Sequence, residues 1–462
     1  MSSTERILKS STASTASLIT RIAQQLLLVP ILVTAWSTEL YGEWLIISAI
    51  PIFLSLSDFG FVLAGSNELA RRASMEDKDS VQDFYNVYSV YFQRWSLVIV
   101  LILAVCSFLL PLKKLMGLHL LSSLETSSIF FLLSLVALIS RNSLTLSSGL
   151  RAKGKTHYGL WIRVIQALFQ ILLSFILIWL LESTPIVLAS GMFLLSLASY
   201  WLEWFLLKRL GVSQKANIFL PLKNKIQMRA YFSMGLEMML IPLAQALIMQ
   251  GSIILIGELL GPVYAVLFAT HRTLTRLSSS VLQVFSNPLM AEAGLMQDSK
   301  DKKLLTKIVC LLSRVTFWLS ILIFIGFMLF AEWIYTLWVQ DKIDFDFNLI
   351  VILLIGVVAE SLWRIIASVR MGSNRHRSIA WSYFIFTLIG LSLANYLSID
   401  YGILGIALGV TLVDVFMMIL SIYTIRGILD VSIFVFISTL IIPPVKEVND
   451  LIQKKILKRF SK

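Results

Sequence analysis

GLRAKGKT, residues 149–156, separates two very different kinds of protein. Letter for letter it satisfies the phosphate-loop pattern G-x-x-x-x-G-K-[ST], whose backbone amides cradle phosphates. That chemistry needs a strand before the loop and a helix N-terminus after it. Here an apolar run of about twenty residues precedes the stretch, the length of a helix that crosses a bilayer, and another such run follows. The stretch is therefore read as a tight basic turn between two membrane spans, and nucleotide binding is set aside.

Outward from that turn the pattern repeats. The chain has 462 residues, 57% hydrophobic and only 14% charged, whereas an ordinary soluble domain is roughly one quarter charged. It reads as an all-α integral membrane protein of about 12 transmembrane helices. The expected spans lie near 18–38, 42–64, 87–110, 127–149, 159–181, 185–207, 233–257, 262–290, 308–331, 348–372, 378–398 and 402–425.

The net charge of +12 is distributed as membrane orientation requires, not as nucleic-acid binding does. One set of connections carries Arg71, Arg72 and Lys78, then Arg151, Lys153 and Lys155, then Lys208 through Arg229, Lys300 through Lys307, and Arg370, Arg375 and Arg377. The opposite loops offer only Lys113, Lys114 and Lys342. The positive-inside rule then places both termini in the cytoplasm. The polar N-terminus is not expected to be a cleaved signal peptide, because Arg21 interrupts the first apolar run. Segment 431–444 is apolar but short and ends in two prolines, so it is expected to lie at the interface. The basic tail beyond it reads as an amphipathic helix on the anionic inner leaflet, or else as a solvated tail.

The two halves of the chain echo each other. ELYG (39–42) returns as ELLG (258–261), and RAKGKTHY (151–158) as RMGSNRHR (370–377), each 219 residues on (258 − 39 and 370 − 151). His157 and His376 match at the same offset. An even number of spans per repeat gives both halves one orientation, and such paired halves enclose a cavity whose access alternates. The expected organisation is an N-lobe over 1–207, a cytoplasmic connection over 208–232, a C-lobe over 233–425, and the stub and tail over 426–462. The lobes are parallel six-helix units.

Several charges fall inside the spans. FATHRTLTRLSSS (268–280) holds His271, Arg272 and Arg276, although one arginine at the bilayer centre costs roughly 2.5–3.5 kcal/mol on the lenient insertion scale. Arg272 and Arg276 share a helical face and suit an anionic substrate; the competing role is a structural pair with an acid such as Asp414. His271 is read as an interhelical hydrogen-bonder. Glu360 and Arg364, four apart, pair on their own helix or serve substrate or ion. Arg21, Arg141, Arg163 and Arg314 lie nearer cytoplasmic ends, where arginines snorkel, with substrate contact as the alternative. Asp58 is a packing residue, a switchable partner of Arg21 or a proton-coupling acid. Glu203 and Glu237 are read as boundary residues. Cys106 and Cys310 sit in separate spans, so neither a disulfide nor a cysteine metal site is expected. No catalytic constellation, metal site or cofactor motif is present in the sequence.

RIAQQLLLVPILVTAWSTELYGEWLIISAIPIFLSLSDFGFVLAGSNELARR (21–72) carries a basic residue early in the first span, a Y-G-E-W turn and an L-S-D-F-G-F ending. It resembles the polysaccharide-lipid flippases of the multidrug/oligosaccharidyl-lipid/polysaccharide exporter (MOP) superfamily. GELLGPVYAVLFATHRTLTRLSSSVLQVFSNPLMAEAG (257–294) is similar to the start of that family's second lobe. The resemblance covers about residues 15–425 and implies two six-helix lobes around a cationic central cavity. The implied substrate is a polyprenyl-diphosphate-linked oligosaccharide, flipped from the inner to the outer leaflet of a bacterial cytoplasmic membrane for O-antigen, capsule or exopolysaccharide synthesis. The family's cavity arginines match Arg21 and one of Arg272 and Arg276. Two alternatives stand beside it. One is an exporter of small cationic drugs coupled to Na+ or H+. The other is a membrane-embedded glycosyltransferase or polymerase, which needs larger outer loops than these.

Overall fold

In lipid a chain satisfies its backbone only as helix or closed barrel. The computed structural model is helical wherever it is apolar, and no strand occurs among the residues it describes: 3–56, 58, 60–75, 78–211, 239–295, 302–373, 377–427, 429 and 431–444. The helices are α1 (Ser3–Ala35), α2 (Thr38–Leu54), α3 (Phe61–Ser74), α4 (Lys78–Leu109), the single turn α5 (Leu112–Leu115), α6 (Ser123–Ala152), α7 (Thr156–Ser174) and α8 (Pro185–Arg209). They continue with α9 (Met239–Leu259), α10 (Pro262–Leu295), α11 (Lys302–Val339), α12 (Phe347–Gly372), α13 (Arg377–Tyr423) and α14 (Ile433–Ile441). Among the described residues nine helices are long and apolar enough to cross a membrane. That measure counts α13 once and omits the 17-residue α2 and the charge-bearing α10. The inner part of the expected connection, Glu237, Lys300, Arg375, His376 and the basic tail lie outside the described residues.

Two compact units form: residues 1–270 with 338–344, and 271–337 with 345–462. Their division by contacts falls within α10. The physical reason is close packing of α9 and the start of α10 on α2. A Cβ on Gly42 would lie 2.3 Å from the Pro262 carbonyl oxygen, and one on Gly257 would lie 2.5 Å from Ile46.

Within the first unit, each residue of the Y-G-E-W turn has a separate task. Tyr41 is buried, Gly42 admits Pro262, and Trp44 meets Trp36 edge-on at 5.6 Å. Glu43 is fully buried, and its carboxylate accepts the backbone amides of His119, Leu120 and Leu121 at 2.5, 2.7 and 3.0 Å. It thereby holds the loop ahead of α6, whose start is closed by a reciprocal Ser122–Glu125 capping box. Pro30 sits inside α1 and cannot donate to the Leu26 carbonyl. The indole nitrogen of Trp338 donates to that oxygen instead, at 2.7 Å. α2 stops at Leu54 and α3 starts at Phe61, and Asp58 Oδ2 caps the new helix by accepting the Val62 amide at 2.8 Å. Phe61, Leu69, Tyr85, Tyr88, Leu146, Leu150 and Leu207 form the core that joins α3, α4, α6 and α8.

In the second unit α13 is 47 residues long but turns at Gly402, whose φ of 55° and ψ of −129° an L-residue rarely adopts. Its halves pack against one another. A Cβ on Gly409 would lie 2.5 Å from Gly390 O, and one on Gly405 would lie 2.2 Å from Leu397 O. Such small-residue seams let membrane helices approach closely where lipid supplies no hydrophobic drive. α14 buries Phe436 and Leu440 beside Leu289, Val309, Leu362 and Ile366, and Trp318 Nε1 donates to the Leu440 carbonyl at 2.9 Å. With nine helical residues it advances only about 14 Å, less than half the hydrocarbon thickness.

Candidate functional site

GLRAKGKT ends one helix and begins the next. Residues 149–152 finish α6, Gly154 (φ +69°) turns the chain, and α7 starts at Thr156. No strand precedes it, so the phosphate loop has no scaffold.

Polar groups gather in the second unit around three helices. From α12, Glu360 Oε1 accepts Arg364 Nε at 2.8 Å and closes further on its Nη2. From α10, Ser279 donates to Glu360 Oε2 at 2.5 Å. From the second half of α13, Asp414 Oδ1 accepts the Trp363 indole at 2.9 Å. Arg276 is exposed, one turn before Ser279's level, and acts electrostatically on both Glu360 and Asp414. Arg272, half-buried, lies close enough to Arg276 for the two to repel. The cluster therefore brings together five residues singled out from sequence: Arg272, Arg276, Glu360, Arg364 and Asp414. Three arginines (Arg272, Arg276, Arg364) stand against two acids. Sequence reasoning did not find Trp363 or Ser279, since neither is charged and each partner is distant along the chain or on another helix.

His271 is fully buried, accepts the Asp346 amide at 2.9 Å and packs at a tilt against Tyr335 with centroids 4.3 Å apart. Its bonds hold the start of α12, in keeping with a hydrogen-bonding role.

The first unit corrects two expectations. Asp58 pairs with Arg141, not with Arg21: Arg141 Nη2 and Nε lie 2.5 and 2.8 Å from Oδ1. The break between α2 and α3 turns Asp58 inward toward α6, and its side chain is wholly buried. Arg141 is thus held inside the helix bundle and does not reach for the interface. Arg21 is exposed and makes no hydrogen bond or ion pair with the described residues. The second correction concerns Glu203. It is no boundary residue but 1% exposed, because α6 and α7 cover it. Beside it lies a cavity of about 340 Å3, walled by Ser143, Arg141, Arg163, Gln166, Ser199 and Glu203 among others.

Among the described residues no group of His, Cys, Asp and Glu has the arrangement to hold a metal ion. What the geometry offers instead is charge placed inside membrane-spanning helices. It can bind and release ionic groups.

Comparison with known proteins places this arrangement. The solved inward-facing conformation of a multidrug resistance MATE family transporter of the MOP superfamily is similar to the chain with a TM-score of 0.69 and 14% identity, over 89% of this chain and 94% of that one. The outward-facing conformation of such a transporter gives 0.61 and 16%, over 91% and 94%. A MATE in the bent conformation gives 0.62 and 16%, over 95% and 97%. At these identities the likeness is one of fold. No curated protein matches the chain. The family described as "Polysaccharide biosynthesis protein" matches residues 8–293, well over half of the sequence, with both the Y-G-E-W turn and the α10 arginines inside the match. The chain is thus a multi-pass membrane protein of the polysaccharide biosynthesis family, built on the fold of the MOP-superfamily transporters.

Proposed function

We propose that the protein is a flippase that moves a polyprenyl-diphosphate-linked oligosaccharide from the inner to the outer leaflet of a bacterial cytoplasmic membrane, by alternating access. The observation that carries this is the arginine excess around α10, in a member of a polysaccharide biosynthesis family. Arg272 and Arg276 lie inside an expected span, where a cation is expensive and its presence points to function. A diphosphate crossing a low-dielectric interior needs forked, charge-assisted hydrogen bonds, which guanidinium groups supply. Arg364, Arg141 and Arg21 are the further candidates, the first two now bonded to Glu360 and Asp58. Exchange of a carboxylate partner for a phosphate is a reversible way to bind and let go. Both termini are assigned to the cytoplasm on the charge pattern.

The test is complementation of a flippase-deficient strain, scored for surface polysaccharide per amount of membrane protein. Restored polysaccharide supports the assignment, and its absence with normal protein level rejects it. The fold likeness to multidrug transporters favours one other reading, ion-coupled drug export. Protection of sensitised cells against cationic dyes, with no effect on polysaccharide, would establish that alternative.

A further inference from the structure

Glu203 stands six residues before the end of α8, in a helix otherwise suited to lipid. Its Oε1 takes a hydrogen bond from Ser147 at 3.3 Å and the Ser143 hydroxyl faces the carboxylate, while Oε2 is buried with no partner at hydrogen-bond distance. The carboxylate forms part of the wall of the 340 Å3 cavity described above. An isolated ionised carboxylate in such surroundings is costly, and proteins resolve the cost by pairing or by neutralising the group.

The neighbours decide between these. Arg163, from α7, lines the same cavity and acts electrostatically on Glu203, yet the two make no direct ion pair. Arg141, from α6, also lines it but is already engaged by Asp58. Tyr85, from α4, and Tyr200, on α8 itself, are the other titratable groups facing the acid, and the buried Tyr85 hydroxyl has no partner either. Asp58, Glu360 and Asp414, the other intramembrane acids singled out from the sequence, each accept hydrogen bonds. Of these four, Glu203 has a buried oxygen without a partner, and a cavity lies beside it. An alkali cation would have to sit next to the Arg163 guanidinium. A proton would not.

We propose that Glu203 is a proton-binding site, whose carboxylate alternates between a protonated form and an ionised form neutralised by Arg163, and that this exchange is coupled to transport. On loading, an O–H bond forms at Oε2 with a proton delivered through water in the cavity. On release the proton returns to water and Arg163 compensates the charge left behind. One H+ is carried and no other reactant is consumed. The coupling rests on the flippase reading; the proton site does not.

A hydrophobic carbodiimide, which reacts with protonated carboxyl groups in low-dielectric surroundings, tests the site on the full-length protein in lipid nanodiscs. Mass spectrometry should find the adduct on Glu203 at low pH and lose it as pH rises. Glu203→Asp should keep a pH-dependent adduct and Glu203→Gln should give none. Arg163→Gln, which removes the compensating cation, should extend labelling to higher pH. A structural role for Glu203 would leave the last comparison unchanged. Absence of the adduct at every pH, or its indifference to Arg163→Gln, overturns the proposal. In complemented cells Glu203→Gln should lose at least tenfold in surface polysaccharide at normal protein level, and full activity would overturn the coupling. A wild-type protein that fails to complement while the adduct forms would reject the flippase reading and leave the proton site standing.

Discussion

Arg141 on α6 closes on Asp58 at 2.5 Å, across 83 residues of sequence, at the point where α2 gives way to α3. The pair fixes a helix break to the side of a continuous helix. Removing one member of a buried pair costs roughly 3–5 kcal/mol, because the other charge is left uncompensated. Arg141→Ala should therefore lower both protein level and thermal midpoint, and Asp58→Asn added to it should recover most of each. Thermal unfolding of the parent and the two purified variants in detergent checks this; Arg141→Ala as stable as the parent would refute it.

The α10 arginines should behave differently. Changing Arg272 and Arg276 together to alanine removes intramembrane charge and so relieves insertion cost, leaving protein level near normal while polysaccharide export falls at least tenfold. Lysine at both positions should restore only part of the activity, since an ammonium lacks the bidentate fork. Full export by the double alanine variant would remove both residues from the substrate path.

Glu43 makes a sharper structural prediction. Hydrogen bonds to charged groups contribute about 1.5–3 kcal/mol each, and this carboxylate accepts three from consecutive amides. Glu43→Gln presents an NH2 group to amides that need an acceptor. It should destabilise the protein by about 3 kcal/mol or more, and amide exchange at 119–121 should rise selectively. Unchanged exchange there would show that the loop is held by other means.

Lys155 belongs to the turn between α6 and α7, with its ammonium 5.8 Å from the Tyr158 ring centroid. Lys155→Ala should leave export within about twofold, as an interfacial cation–π contact contributes only about 0.5–1 kcal/mol. Saturable ATP binding abolished by this change would reinstate the phosphate loop.

Helix positions were legible because apolar runs and membrane-crossing lengths coincide, and the Y-G-E-W and L-S-D-F-G-F motifs were legible as a family signature. Their tasks were not. That Gly42 faces Pro262, or that Glu43 holds residues 119–121, depends on tertiary neighbours that no local pattern encodes. Glu360 and Arg364 were readable as a pair, since four residues bring them to one face. Of the three roles open for Asp58, the ion-pair one named Arg21 whereas Arg141 is the partner, because proximity across helices follows packing and not span order. Glu203 was misread for a related reason: its distance from the end of α8 says nothing about which helices cover it. The α2–α3 break had a sequence signal in Gly60, which takes a left-handed φ of 75° just before α3. The π-helical turns at Phe175–Leu180 and Leu247–Gly251 had none.

The turn at Gly402 bears on how the protein is made. Loop closure between two helices costs entropy that grows with the connecting length, and here the connection is close to a single residue. Almost no polar backbone has to be carried across the bilayer to bring the halves of α13 together. Their glycine seam can form as soon as both have left the ribosome. Biogenesis would then handle this pair as one preassembled wedge, and a bulky residue at Gly405 or Gly409 would show its damage first as a defect of membrane insertion.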